Sequence, residues 1–274
     1  MNADITKNDH GFELTLLIKK DGTLAKWAVA GENIVIEFYG VLNQSAEIGL
    51  SGNSNTSKLK FSNNPDDVNS TTETPEDTVL TFTYELDVHK VDGTTGEALR
   101  GAQFALKATD GVHRDKYVVL DANGKVVKWQ TNAPAEDSEP ASDGTTALLK
   151  SDKEGNFSVI GLDDGKYSLE EIKAPAGYNK IDPITIEIVA GTVHTVDGKN
   201  PSAALTKIDV SVGGAAAVPG NVETGIVSAK VENNSGASLP ETGGIGTTMF
   251  YIIGAILVIG AGVILVSRRR MNGE

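Results

Sequence analysis

The sequence predicts an all-β protein, built of β-sandwich domains and followed by one C-terminal membrane-spanning helix. Three observations carry this reading. Short segments of alternating apolar and polar residues recur from Phe12 to Glu232, separated by Gly-, Asn-, Asp- and Pro-rich turns. No long helical period of apolar residues occurs before the C-terminal tail. That tail holds an uncharged apolar run, Thr247 to Val266. The run is about 20 residues, or roughly 30 Å as a helix, enough to cross the hydrocarbon core of a bilayer.

Composition narrows the function. The chain has 274 residues, enough for one large or two ordinary domains. Acidic residues outnumber basic ones, 37 to 24, for a formal charge of −13. That balance, with no basic stripe outside the tail, argues against nucleic acid as a partner. There are no cysteines, so disulfides and thiolate metal sites are excluded. Met1 to Asp4 shows no basic and apolar export signal, so the chain is expected to lack an N-terminal part.

The elements follow in order. Phe12 to Ile18 and Asn33 to Tyr39 alternate and read as strands, with Asp21-Gly22 as a hairpin turn. Lys58 to Pro65 reads as a strand running into a turn, and Asp66 to Asp77 as an exposed loop. Val79 to Val88 is the next strand and enters a second domain. Within it, Leu99 to Leu106 is a strand region, and Tyr117 to Trp129 is a hairpin around Asn123-Gly124. Residues 132 to 146 are acidic and rich in Pro and Ser, and read as a mobile loop. Asn156 to Ile160, Tyr167 to Glu171, Ile184 to Val189, Val193 to Val196 and Ile226 to Glu232 read as further strands. Lys199 to Glu223 is rich in small residues and ambiguous. Three parts result: a partial sandwich at 1–82, a complete one at 83–236, and a tail at 237–274 with its helix at 247–266.

Strand parity singles out two charged residues. Tyr167, Leu169 and Glu171 share one face, and their apolar character turns that face inward, leaving Glu170 exposed. Leu86, Val88 and Lys90 likewise share a face, with His89 outward. A lysine and a glutamate among core residues are each costly alone. On the residues alone, a buried Lys90–Glu171 ion pair and a reactive pair both stand open.

The tail has its own signature. Leu239, Pro240, Glu241, Thr242 and Gly243 spell LPETG, the apolar run follows, and Arg268, Arg269 and Arg270 close it. The arginines hold that end in the cytoplasm, so everything before Leu239 lies outside the cell. This three-part tail resembles the cell-wall sorting signal of Gram-positive surface proteins. The resemblance implies cleavage between Thr242 and Gly243 by the transpeptidase sortase, with transfer of the Thr242 carbonyl to an amine.

The string YSLEEIKAPAGY, Tyr167 to Tyr178, is similar to the E-box of Gram-positive sortase-assembled pilins. The strings LRGAQFAL at 99–106 and GKYSLEE at 165–171 are similar to the collagen-adhesin B-type domain, an immunoglobulin-like sandwich. Glu171 falls on the family's glutamate and Lys90 on its first-strand lysine. Asn233 falls on the asparagine partner, and its parity with Val231 favours it over Asn234. The resemblance implies an intramolecular Lys90–Asn233 isopeptide bond, formed with loss of ammonia and assisted by Glu171. Burial disfavours the charged form of an amine and of a carboxyl group, so a neutral amine attacks while a neutral acid polarises the Asn233 carbonyl and relays protons. Contact between the groups replaces an encounter in solution with an effective molarity of roughly 10⁵–10⁸ M. The string LKFSNNP at 59–65 is similar to the end of the preceding pilin domain, with Asn63 at an isopeptide acceptor position. Lys7, Lys19 and Lys20 lack the setting of its partner, so Asn63 is expected to be unpaired.

The implied function is that of a structural pilus subunit rather than an enzyme, with sortase, neighbouring subunits and peptidoglycan as partners and no cofactor. The other reading is a wall-anchored adhesin, binding a host surface receptor, with this domain as its stalk. A pilin-motif lysine, in a WxxxVYPK-like string, is absent. His10, His89, His113 and His194 show no metal-ligand spacing, and Asp163-Asp-Gly is read as a solvated turn, so no metal site is expected.

Overall fold

A strand forms only where an extended segment finds a neighbour to complete its hydrogen bonds. That requirement sorts the segments above. The structure is a computed structural model and describes residues 3–8, 11–16, 19–20, 23–24, 29, 31–64, 67, 69–195 and 202–235. Its contacts divide the chain into two units, Met1–Leu42 and Asn43–Glu274.

In the first unit β1 (Ala3–Asn8) pairs antiparallel with β2 (Gly11–Leu16), in register from Ala3↔Leu16 to Asn8↔Gly11. β3 (Lys19–Lys20) pairs with β4 (Thr23–Leu24). Asn33 to Tyr39, expected as a strand, is not one. Its apolar side chains stay exposed, Val35 at 76% and Tyr39 at 96%. Among the described residues no neighbour supplies the missing ladder.

The second unit opens with two separate two-stranded ladders. β5 (Asn53–Ser57) pairs with β8 (Asp77–Thr81), and β6 (Lys60–Ser62) with β7 (Thr71–Glu73). β7 lies inside the stretch expected as a loop, where Thr71 and Thr72 favour extended backbone. The segment before β5 is tied to the following domain: Gly49 N–H donates to the Thr83 carbonyl, and Leu50 N–H to that of Glu223.

Two sheets build the sandwich. The smaller holds β9 (Tyr84–Asp92) between β14 (Asn156–Leu162) and β19 (Ile226–Asn233). β14 runs antiparallel to β9, and β19 runs parallel to it, from Ile226↔Glu85 to Asn233↔Asp92. The larger sheet runs β12 (Val126–Gln130), β11 (Tyr117–Leu120), β10 (Gln103–Ala108), β15 (Gly165–Lys173), β16 (Ile184–Thr195), β17 (Ser202–Val212) and β18 (Val218–Pro219). β13 (Leu149–Lys150) also pairs with β10. The two expected segments at 184–189 and 193–196 fuse into β16, and the ambiguous stretch supplies its partner β17.

The core lies between the sheets and comes from alternate positions: Leu86 and Val88 of β9 and Val227 of β19 face Phe104, Leu106 and Leu169 of the larger sheet. Each fully buried Leu or Phe contributes about 1.5–3 kcal/mol. One consequence of the topology bears on function. The first and last strands of the sandwich are neighbours and run the same way.

The expected mobile loop at 132–146 is held down. Gln103, buried at 2% exposure, donates from Nε2 to Asp137 Oδ1 at 2.5 Å and accepts the Asp137 N–H at 2.9 Å. Lys173 Nζ meets Asp137 at 2.5 Å and Glu136 at 2.8 Å. A buried amide that needs partners overrides the loop-like composition.

Among the described residues no helix is long and apolar enough to cross a membrane. The expected span at 247–266, Leu239 to Gly243 and Arg268 to Arg270 lie outside them.

A buried amine, carboxyl and carboxamide at the end of the sandwich

The alternation of β9 carries Lys90 into the core behind Leu86 and Val88, and His89 out. The alternation of β15 turns Glu171 inward behind Tyr167 and Leu169. That of β19 turns Asn233 inward behind Val231. Lys90 and Asn233 are 0% exposed and Glu171 is 2% exposed. Asn234 is exposed, its side chain lying over Gly93 rather than in the core.

The Asn233 carboxamide is held through its nitrogen. Nδ2 lies 3.0 Å from Glu171 Oε1 and 3.2 Å from Oε2, and donates to the Asn179 carbonyl at 2.8 Å. Asn233 Oδ1 is buried without a partner among the described residues. Glu171 Oε2 also accepts the Ile181 N–H at 2.8 Å. This differs from the expectation that the acid polarises the Asn233 carbonyl. The Asn179 carbonyl accepts but does not donate, so it selects the amide nitrogen and leaves the oxygen facing away from the carboxyl group.

Lys90 Nζ donates to the carbonyls of Val231, at 3.2 Å, and Val91, at 3.4 Å. The first of these lies on the same face as Asn233, one inward position before it. Burial pushes the Lys90 amine down to about 8, against the opposing pull of Glu171, Glu232 and Asp92. At pH 7 about a tenth of such an amine is unprotonated, whereas lysine in water is almost wholly charged. Only the neutral amine has a lone pair to attack with.

A second amine–acid–carboxamide cluster shows why burial matters. Lys173, Asp137 and Gln103 bring the same three groups together. Lys173 is only half-buried, however, and its bonds to Asp137 and Glu136 raise its pKa and keep it protonated. The groups match, but the amine is not a nucleophile there.

Other expected residues lie elsewhere. Glu170 is half-buried rather than exposed, beneath Lys107, 2.5 Å away, and Tyr117, whose hydroxyl donates to it at 2.9 Å. Asn63 sits on an exposed turn, where its Oδ1 accepts from Ser70 Oγ at 2.6 Å. Among the described residues no acidic or histidine cluster is placed to hold a metal ion.

Two features escaped the sequence reading. The segment Tyr178 to Ile181 supplies backbone partners to both Asn233 and Glu171, and no side-chain pattern announces a backbone contact. Gly155 lies against β9, where a Cβ would stand 2.4 Å from the Lys90 carbonyl oxygen. Its φ of +79° is itself the left-handed region that favours glycine.

Residues 84–202 match the SpaA prealbumin-like fold domain, and residues 231–273 match the LPXTG cell wall anchor motif. The chain thus carries a prealbumin-like domain of the SpaA type and a Gram-positive wall-anchor motif. The chain is 24% identical to the trypsin-resistant surface T6 protein of Streptococcus pyogenes serotype M6, over 86% of the chain and 48% of that protein. It thus spans about half the length of that relative. The crystal structure of the group B streptococcus pilus 2b backbone protein resembles it at 22% identity and a TM-score of 0.47, over 87% of this chain and 71% of that one. The shaft pilin SpaA of Lactobacillus rhamnosus GG does so at 20% identity and a TM-score of 0.32, over 60% and 52%. The all-β architecture expected from the sequence agrees with the prealbumin-like match, and the expected wall-anchored surface class with the anchor-motif match.

Proposed function

We propose that the pilin is a structural subunit of a sortase-assembled pilus, braced by an isopeptide bond between Lys90 and Asn233. The observation that carries the bond is the joint burial of Lys90, Glu171 and Asn233 at the end of the paired first and last strands. Lys90 passes a proton to Glu171, and the neutral Nζ attacks Asn233 Cγ. The Nζ–Cγ bond forms, the Cγ–Nδ2 bond breaks, and Glu171, which touches Nδ2, delivers the proton that lets ammonia leave and then takes up the second Nζ proton, so that Nζ ends as an amide N–H. Burial favours the neutral form of the Lys90 amine over its ion. The reaction runs once per chain, so this is maturation rather than turnover.

The topology gives the bond a purpose. Tension enters at the start of β9 and leaves at the end of β19. A bond from Lys90 to Asn233 carries that load across the two strands and spares everything between Val91 and Glu232. Sortase cleaves between Thr242 and Gly243 and joins Thr242 to the next subunit or to peptidoglycan. Before that step the 247–266 helix holds the precursor in the membrane, with Arg268 to Arg270 inside.

The assembly reading is tested in the producing bacterium. Wall extracts boiled in detergent and probed with antibody to this chain should give a ladder of high-mass species, and Thr242→Ala should abolish it. A single monomeric band that retains residues beyond Thr242 contradicts the reading.

A further inference from the structure

We propose that Tyr178 is a positioning residue for bond formation: its hydroxyl, latched on the Asp92 carboxylate, holds residues 178–181 over the site so that Asn233 presents its nitrogen to Glu171. The inference rests on the isopeptide reading above.

The latch is built from both ends. Tyr178 donates from its hydroxyl to Asp92 Oδ2 at 2.7 Å. Asp92 is itself fixed, because Oδ1 accepts the Thr94 and Thr95 N–H groups at 2.6 and 3.0 Å. Gly93 N–H donates to the Asn233 carbonyl at 2.9 Å, so the turn that carries Asp92 also grips the end of β19. Tyr178 forms a backbone bridge with Ser235, beyond that end. The segment leaves β15 through a turn in which Tyr178 N–H bonds to the Pro175 carbonyl.

The two residues after the latch touch the reacting groups directly. The Asn179 carbonyl takes one Asn233 N–H, and the Ile181 N–H takes Glu171 Oε2. If the segment lifts, the carboxamide is free to turn its oxygen toward Glu171, and water gains access to Cγ. Amine attack then competes with water attack. Water attack joins oxygen to Cγ, breaks the same Cγ–Nδ2 bond and releases ammonia, leaving a carboxylate at position 233 and Lys90 free.

The test follows the intact mass of freshly translated full-length chain with time. Wild type should lose one ammonia. Tyr178→Phe keeps the ring and removes the hydroxyl. It should slow that loss about tenfold or more, since hydrogen bonds to charged groups are the strong ones. Part of its product should carry a carboxylate at position 233 in place of the amide cross-link. Asp92→Asn keeps an acceptor for Thr94 and Thr95 and should slow the reaction less. The double variant should be no slower than Tyr178→Phe alone. Molecules of Tyr178→Phe that have bonded should melt like bonded wild type, which separates positioning from plain stabilisation. Bonding of Tyr178→Phe at the wild-type rate with no hydrolysed product overturns the proposal, as does independent, additive slowing by the two substitutions. A wild-type chain that never loses ammonia instead overturns the isopeptide reading beneath it.

Discussion

Replacing Asn233 by alanine removes the carboxamide and leaves the Lys90 amine buried and unreacted. The stability of that variant should then depend on pH in a way set by one group. The Lys90 amine falls from 10.5 to about 8 on folding. Between those values the unfolded chain holds a proton that the folded chain does not, so unfolding becomes harder as pH rises. The gain accumulates from pH 8 to 10.5 and is lost as pH falls back through that window. A displacement of this size corresponds to about 3 kcal/mol, at up to about 1.4 kcal/mol per pH unit. Other groups titrate in the same range, so the reference is the double variant Lys90→Met/Asn233→Ala, which lacks the amine. Urea unfolding of both, followed by Trp129 fluorescence across the window, isolates the contribution by difference. Equal pH slopes for the two variants would refute the claim that folding strips the lysine of its proton.

Three further outcomes follow from the geometry. Glu171→Gln removes the proton carrier while keeping the volume, so the full-length chain should retain its ammonia, as read by intact mass. Gly155→Ala places a methyl group 2.4 Å from the Lys90 carbonyl at a φ of +79°. It should cost about 1–3 kcal/mol in denaturant unfolding, and unchanged stability would contradict the packing described. Asp137→Ala removes the side-chain bond of the 132–146 segment to Gln103 and one of its two ion pairs with Lys173. Limited proteolysis should then cut within that segment faster than in wild type while leaving the rest of the sandwich intact.

Much of the site was legible because strand parity is a strong constraint. A residue two positions from Val88 or Leu169 on a strand shares its face whatever its charge. That places Lys90 and Glu171 in the core before any fold is known. The same parity, with Val231, separates Asn233 from Asn234. β17 was not read from the sequence, because the small residues around it hid the alternation of Ile208, Val210 and Val212. Asn33 to Tyr39 shows the opposite failure. Alternation marks a segment able to pair, while pairing itself depends on a neighbour that local sequence does not name. The anchoring of residues 132–146 depends on Gln103, whose buried amide lies far away in sequence. The direction in which the Asn233 amide points depends on the Asn179 backbone carbonyl, which every residue type carries alike.

The central claim is that the first and last strands of the sandwich are joined covalently through their side chains. Proteolysis of the chain followed by fragment mass spectrometry tests it most directly. A single cross-linked species that contains both Lys90 and Asn233, lighter than its two peptides by one ammonia, is the predicted result. Recovery of the two peptides separately, each at full mass, would contradict the account.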